Sequence, residues 1–405
     1  MEETEKEENQ QVLRVLELLK QASHDLQSNS GPPPTESNSS AIKALLELET
    51  ESDTILSSDP NLSQLSHHLS SLKALVETLQ KTRGHGLRSF LRRRASTHEI
   101  ARVAGSIESE LQAWIDRESL ENLVKSLQGY SPSSSNSGED ELIRLLTQLG
   151  NRISQGFNRE LQDLVLKSRV FSELEKILCK PDCPNKLREH CAFAIDSLIR
   201  FNKDVFVGQV WMGPTIYALI SIGSSSSLKV LCSLIKSIKS PLADEIESNR
   251  EIPKIIAFLS STELEIKIVA IDCVLEIGYF GRKEAIEAMI TEGLIEKLVE
   301  LQRSELGGDL IDVGRWEENR EERANIGGEE TERKWRKESR ENYLQRHPFA
   351  SCVARFAVQL EVGEGLRQRE KRAFKQEILR RVREASVSDA EAATIVAEVL
   401  WGSSP

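Results

Sequence analysis

Aromatic residues are scarce in this chain, at 5% of 405 residues against 39% hydrophobic overall. A composition rich in Leu, Ile and Ala but poor in aromatics suits stacked helices better than a β-sandwich. No apolar run approaches about 18 residues, so stable membrane insertion is not expected. The opening MEETEKEENQ is acidic and has neither the basic nor the apolar region of a secretory signal. Gly does not follow Met1, so N-myristoylation is not expected either.

Catalytic and metal-binding signatures are also missing. The chain has no G-x-S-x-G, no P-loop, no H-E-x-x-H and no G-x-G-x-x-G following a strand, and its seven His are scattered. No enzyme, catalytic residue or cofactor is therefore expected. The six cysteines, Cys179, Cys183, Cys191, Cys232, Cys273 and Cys352, form no paired C-x-x-C framework and read as reduced thiols. Cys191, Cys232, Cys273 and Cys352 lie in apolar helical runs, where Cys serves as a small core residue. A zinc cluster of Cys179, Cys183, His190 and Cys191 is the less economical reading, because His190 and Cys191 fall inside a helical pattern. With a formal net charge of -11, general nucleic-acid affinity is not expected.

What is present is an internal repeat. Ile252-Pro253-Lys254-Ile255-Ile256-Ala257-Phe258-Leu259 returns as Leu294-Ile295-Glu296-Lys297-Leu298-Val299-Glu300-Leu301, an offset of roughly 40 residues, the period of helical solenoids. Between the copies lie a polar turn (260–263), an apolar helix (266–277) and a short helix ending at Glu292-Gly293. Related openings occur at Leu120, Val170 and Gly213-Pro214, with inner helices predicted at 141–153, 187–199 and 228–238. Gly-Pro punctuates stacked helices because Gly ends one and Pro opens the next.

On either side of these repeats the pattern changes. Helices are predicted at 11–26, 41–55, 62–79 and from Ser96 through Trp114, with a Ser/Asn/Pro linker at 28–40. The charged run 307–340 has almost no apolar periodicity, so it cannot bury enough surface to order itself. Helical pattern resumes at 349–362, continues as a basic amphipathic helix over 366–382, and ends in a tail helix opened by Ser388-x-x-Glu391. The domains read as a helical bundle over 1–118, a solenoid over 119–386 with a disordered insertion at about 304–343, and a tail helix over 387–405.

The repeat resembles the armadillo unit, whose pattern runs roughly G-A-I-P-x-L-V-x-L-L, a turn, and a long inner helix. The layout is similar to plant armadillo proteins that keep an N-terminal helical region but lack the U-box. That resemblance implies an all-α fold: a right-handed armadillo-type α-solenoid preceded by the bundle. It implies a non-catalytic scaffold or adaptor that binds a protein segment along the concave groove. The alternative it leaves open is a regulatory or substrate-recruiting part of a ubiquitin-ligase assembly. Cytoplasmic and nuclear locations are both compatible with the charge.

Aligned on their apolar frame, the inner helices place Phe193, Ser233, Asp272 and Arg355 where nuclear-import adaptors of the family carry a Trp. Ser197, Ser237, Glu276 and Gln359 stand where those adaptors carry an Asn. The Trp/Asn ladder is absent, which counts against an import receptor. Asp272 and Glu276, at i and i+4, share a helix face and favour a partner with a basic segment. Arg92, Arg93 and Arg94 precede Ser96, matching a basophilic kinase site. The same Ser96 is read as a helix N-cap, a place where phosphate would also be favourable. The arginines offer weak contact to anionic lipid.

Overall fold

The structure, a computed structural model, describes residues 67, 68, 70, 71, 73–75, 87–131, 136–307 and 344–401. The expected helices at 11–26 and 41–55, most of that at 62–79, and nearly all of the charged insertion lie outside them. Among the described residues there is no strand. They form two compact units. One comprises the described residues up to Gly129 with Asn158–Val170, and the other comprises Tyr130–Phe157 with Phe171 onward.

In the first unit, α1 (Leu87–Gly129) is one continuous helix. It buries Ala104, Ile107 and Leu111 on one face and Leu120, Leu123 and Leu127 on the opposite one, because the nine-residue step from Leu111 to Leu120 is a half turn out of register. The sequence-predicted boundary at 118/119 falls inside it. Ser96 also lies inside α1, so it is not the N-cap expected from Ser96-x-x-Glu99; the helix starts upstream and the capping-box spacing there is coincidental. α2 (Asn136–Ser154) belongs to the second unit. α3 (Arg159–Ser168) returns to the first, packing Leu161 and Val165 against α1. The Asn158 side chain caps α3 by accepting from the Leu161 N–H at 3.0 Å.

The second unit is a stack of helical repeats. After α4 (Val170–Leu178) and the inner helix α5 (Asn185–Phe201) come three full three-helix repeats. These are α6 (Lys203–Met212), α7 (Thr215–Ile222) and α8 (Ser225–Ile238); then α9 (Ser240–Ser248), α10 (Ile252–Ala257) and α11 (Leu264–Phe280); then α12 (Lys283–Thr291), α13 (Leu294–Arg303) and α14 (Cys352–Val362). α15 (Gln368–Ala385) and α16 (Asp389–Trp401) close the stack. The third helix of each repeat packs on the next: α2 on α5, α5 on α8, α8 on α11, α11 on α14 and α14 on α16. The tail helix is thus the last rung of this row.

Side chains fix the register between repeats. The Thr215 hydroxyl donates to Glu175 at 2.6 Å and the Ser240 hydroxyl to the Phe280 carbonyl at 2.7 Å, each bridging one repeat length. Lys254 sits 4.9 Å above the Tyr217 ring. Gly293 turns α12 into α13 at φ 79, a left-handed conformation that glycine adopts without steric cost. Gly278 lets α11 meet α14, since a Cβ there would lie 2.9 Å from the Phe356 ring.

The short helices α3, α6 and α9 are absent from the sequence expectation. α6, KDVFVGQVWM, has apolar residues around its circumference and gives no single periodic stripe to read. The thiols of Cys191, Cys232, Cys273 and Cys352 are buried. Burial pushes the Cys352 thiol up to about 12, so it stays protonated as a packing residue.

Candidate functional site

The eight predicted groove residues fall on four successive inner helices: Phe193 and Ser197 on α5, Ser233 and Ser237 on α8, Asp272 and Glu276 on α11, Arg355 and Gln359 on α14. None of the eight is fully buried, although apolar neighbours on the same helices are. This follows from helix geometry. Residues at i and i+4 repeat one face, and stacking brings the equivalent faces side by side.

Phe193 is 40% exposed, with His190 edge-on at 6.5 Å. One turn on, the Ser197 hydroxyl donates to the Phe193 carbonyl at 2.8 Å. Beneath them lies Asp196, buried and paired with Arg200. Burial raises the Asp196 carboxyl above its ordinary range, opposed by the Ser233 hydroxyl and by Arg200. Ser233 thereby links α5 to α8.

The next two junctions are ionic. Lys236 Nζ on α8 lies 3.5 Å from Glu276 on α11. Asp272 on α11 is raised by burial, and the charges of Arg355 and Lys236 oppose that rise. Arg355 is held in place by donating to the Pro348 carbonyl at 2.8 Å. The acidic pair that the sequence offered to a basic partner therefore already has cationic neighbours within the chain.

Three residues of this face escaped the sequence reading: Asp196, Arg200 and Lys236. Asp196 and Arg200 stand at i and i+4, a legible ion-pair spacing. Lys236 and Glu276 are one repeat length apart and become legible once the alignment extends three positions beyond Ser233.

The arrangement offers polar, cationic, acidic and one aromatic group along a row. Among the described residues no group of His, Cys, Asp and Glu could hold a metal ion. No single described helix is long and apolar enough to cross a membrane. The bent pair α6 and α7 passes by length and composition, but it buries Phe206, Val210, Ile216 and Leu219 in the stack. Ser96 and Arg92–Arg94 lie on α1 with side chains outside the description.

No protein-family model and no curated protein sequence matches the chain. Solved structures with a similar course include the designed armadillo repeat protein YIII(Dq)4CqI, 15% identical, with a TM-score of 0.41, covering 69% of this chain and 99% of that one. Another is the designed armadillo repeat protein YIII(Dq.V1)4CPAF in complex with the peptide (KR)4, 16% identical, with a TM-score of 0.38, covering 70% of this chain and 99% of that one. Kap121p is 12% identical, with a TM-score of 0.41, covering 98% of this chain and 34% of that one.

Proposed function

We propose that the protein is a non-catalytic interaction scaffold that holds an extended segment of a partner protein along its inner-helix face. The observation that carries this reading is the continuous row of incompletely buried side chains from Phe193 to Gln359, displayed by four stacked helices. A stacked-helix array presents a long surface whose successive rungs meet successive residues of an extended chain. Phe193 supplies an exposed aromatic anchor, and Ser237 and Gln359 supply hydrogen-bonding groups at later rungs. Aromatic anchors carry a large share of the energy in protein interfaces.

The test is a comparison of partners purified from extract. One bait is the intact chain; the other carries Phe193→Ala, Ser237→Arg and Gln359→Arg, checked for unchanged helicity by circular dichroism. Selective loss of partners from the triple variant is the expected result. An identical partner list from both baits would remove this face from the account.

A further inference from the structure

The charges of the inner-helix face are sorted by depth. In two ion pairs on it, on α5 and between α8 and α11, the carboxylate is the deeper member and the cation the more exposed one. The Arg200 side chain is 61% exposed over Asp196 at 3%. Lys236 is 56% exposed over Glu276 at 25%. On α8, Lys229 is exposed one turn before Ser233, so this helix presents Lys229, Ser233, Lys236 and Ser237 without an acidic residue among them.

This sorting decides what an incoming chain meets first. Coulomb energy falls with distance and with the dielectric between charges. An approaching segment reaches the outer cations at short range, while the buried Asp196 and half-buried Asp272 and Glu276 carboxylates are already compensated by Arg200, Lys236 and Arg355. A basic segment would have to displace those in-chain cations and leave them unpaired on the same face. A carboxylate-bearing segment would instead add a second anion to cations that are only partly used, with the serine hydroxyls as further donors.

We propose that the inner-helix face accepts an acidic protein segment, with Lys229, Lys236 and Arg200 contacting its carboxylates. This rests on the scaffold reading above and reverses the partner charge suggested by Asp272 and Glu276 as sequence letters. It needs no rearrangement of the Asp196–Arg200 pair on α5 or of the Lys236–Glu276 pair that joins α8 to α11.

The experiment is fluorescence anisotropy of the full chain with two labelled octapeptides, (Asp-Glu)4 and (Lys-Arg)4, each carrying one terminal Phe, at low and moderate salt. The expected result is binding of the acidic peptide, weakened by salt. Lys229→Glu and Lys236→Glu should each weaken it about tenfold, close to 1.4 kcal/mol. Lys283→Glu on α12 changes net charge equally and should leave binding unchanged. Lys229 makes no ion pair among the described residues, so its variant guards against misfolding as the cause. Stronger binding of (Lys-Arg)4, or binding of neither peptide, would overturn the charge assignment. The scaffold reading would survive that outcome if natural partners were still lost with the Phe193 triple variant, and would fail separately if they were not.

Discussion

Two helices of the second unit, α11 in its middle and α15 at its end, show what position in a stack demands of a sequence. α11 has neighbours on both sides and buries Ile266, Val269, Ala270, Ile271, Cys273, Val274, Leu275, Ile277, Gly278 and Phe280. α15 buries only Phe374, Ile378 and Val382. The rest of its surface carries charges arranged as ion pairs, including Arg381 with Glu296 on α13 at 3.0 Å. A central rung is held by apolar contact on two flanks, whereas a terminal helix has one apolar stripe and must keep the remainder wet. In keeping with that contrast, the middle of α11 leaves Asp272 and Glu276 only half-buried between fully buried apolar neighbours.

The sharpest way to break the comparison is to open the middle of the stack. Phe356→Ala empties a fully buried site against Gly278 and should cost about 3–5 kcal/mol in chemical denaturation. Gly278→Ala overfills the same contact and should cost about 1–3 kcal/mol. At the terminal helix, Ile378→Ala should cost about 2 kcal/mol. Hydrogen exchange should then show the loss concentrated in α15 and α16, because repeat arrays communicate mainly between neighbours. Equal destabilisation and global exchange from the α11–α14 and α15 variants would dissolve the distinction.

A subtler probe uses pH. The Asp272 carboxyl is raised by burial, so its contribution to stability is present below the ordinary carboxyl range and is lost as pH rises through the folded value. Asp272→Asn should therefore become relatively more stable than the parent as denaturation is moved from about pH 4 to pH 7. A constant difference across that range would contradict the burial. The smallest effect belongs to Glu377 on α15, held down to about 2 by Arg380 first, then Arg381. Its stabilisation is present above its ordinary value and fades as pH falls toward 2. Because the pair lies in solvent, Glu377→Gln should change stability at neutral pH by less than about 1 kcal/mol.

Much of this was legible in the letters. The recurrence of 252–259 at 294–301 set the period, and the inner helices follow wherever one apolar frame repeats at helical spacing. α6 and α9 escaped because they are short and gain their order from neighbours. α1 hid the start of its helix because the basic run 92–94 has no apolar period of its own. The eight aligned residues fall on four successive stacked helices, since stacking preserves an aligned frame. Their charge character was not legible: depth depends on which partner lies one repeat away, as Lys236 does for Glu276.

The most direct test of the central claim is site-specific photo-crosslinking in extract. A photoreactive phenylalanine analogue is placed at Ser237 on the inner-helix face, or at Glu287 on α12 as a control position. The account predicts a discrete crosslinked partner from position 237 that is suppressed by excess acidic octapeptide, and none from position 287. Crosslinking of the same partner from 287 but not from 237 would show that recognition lies elsewhere.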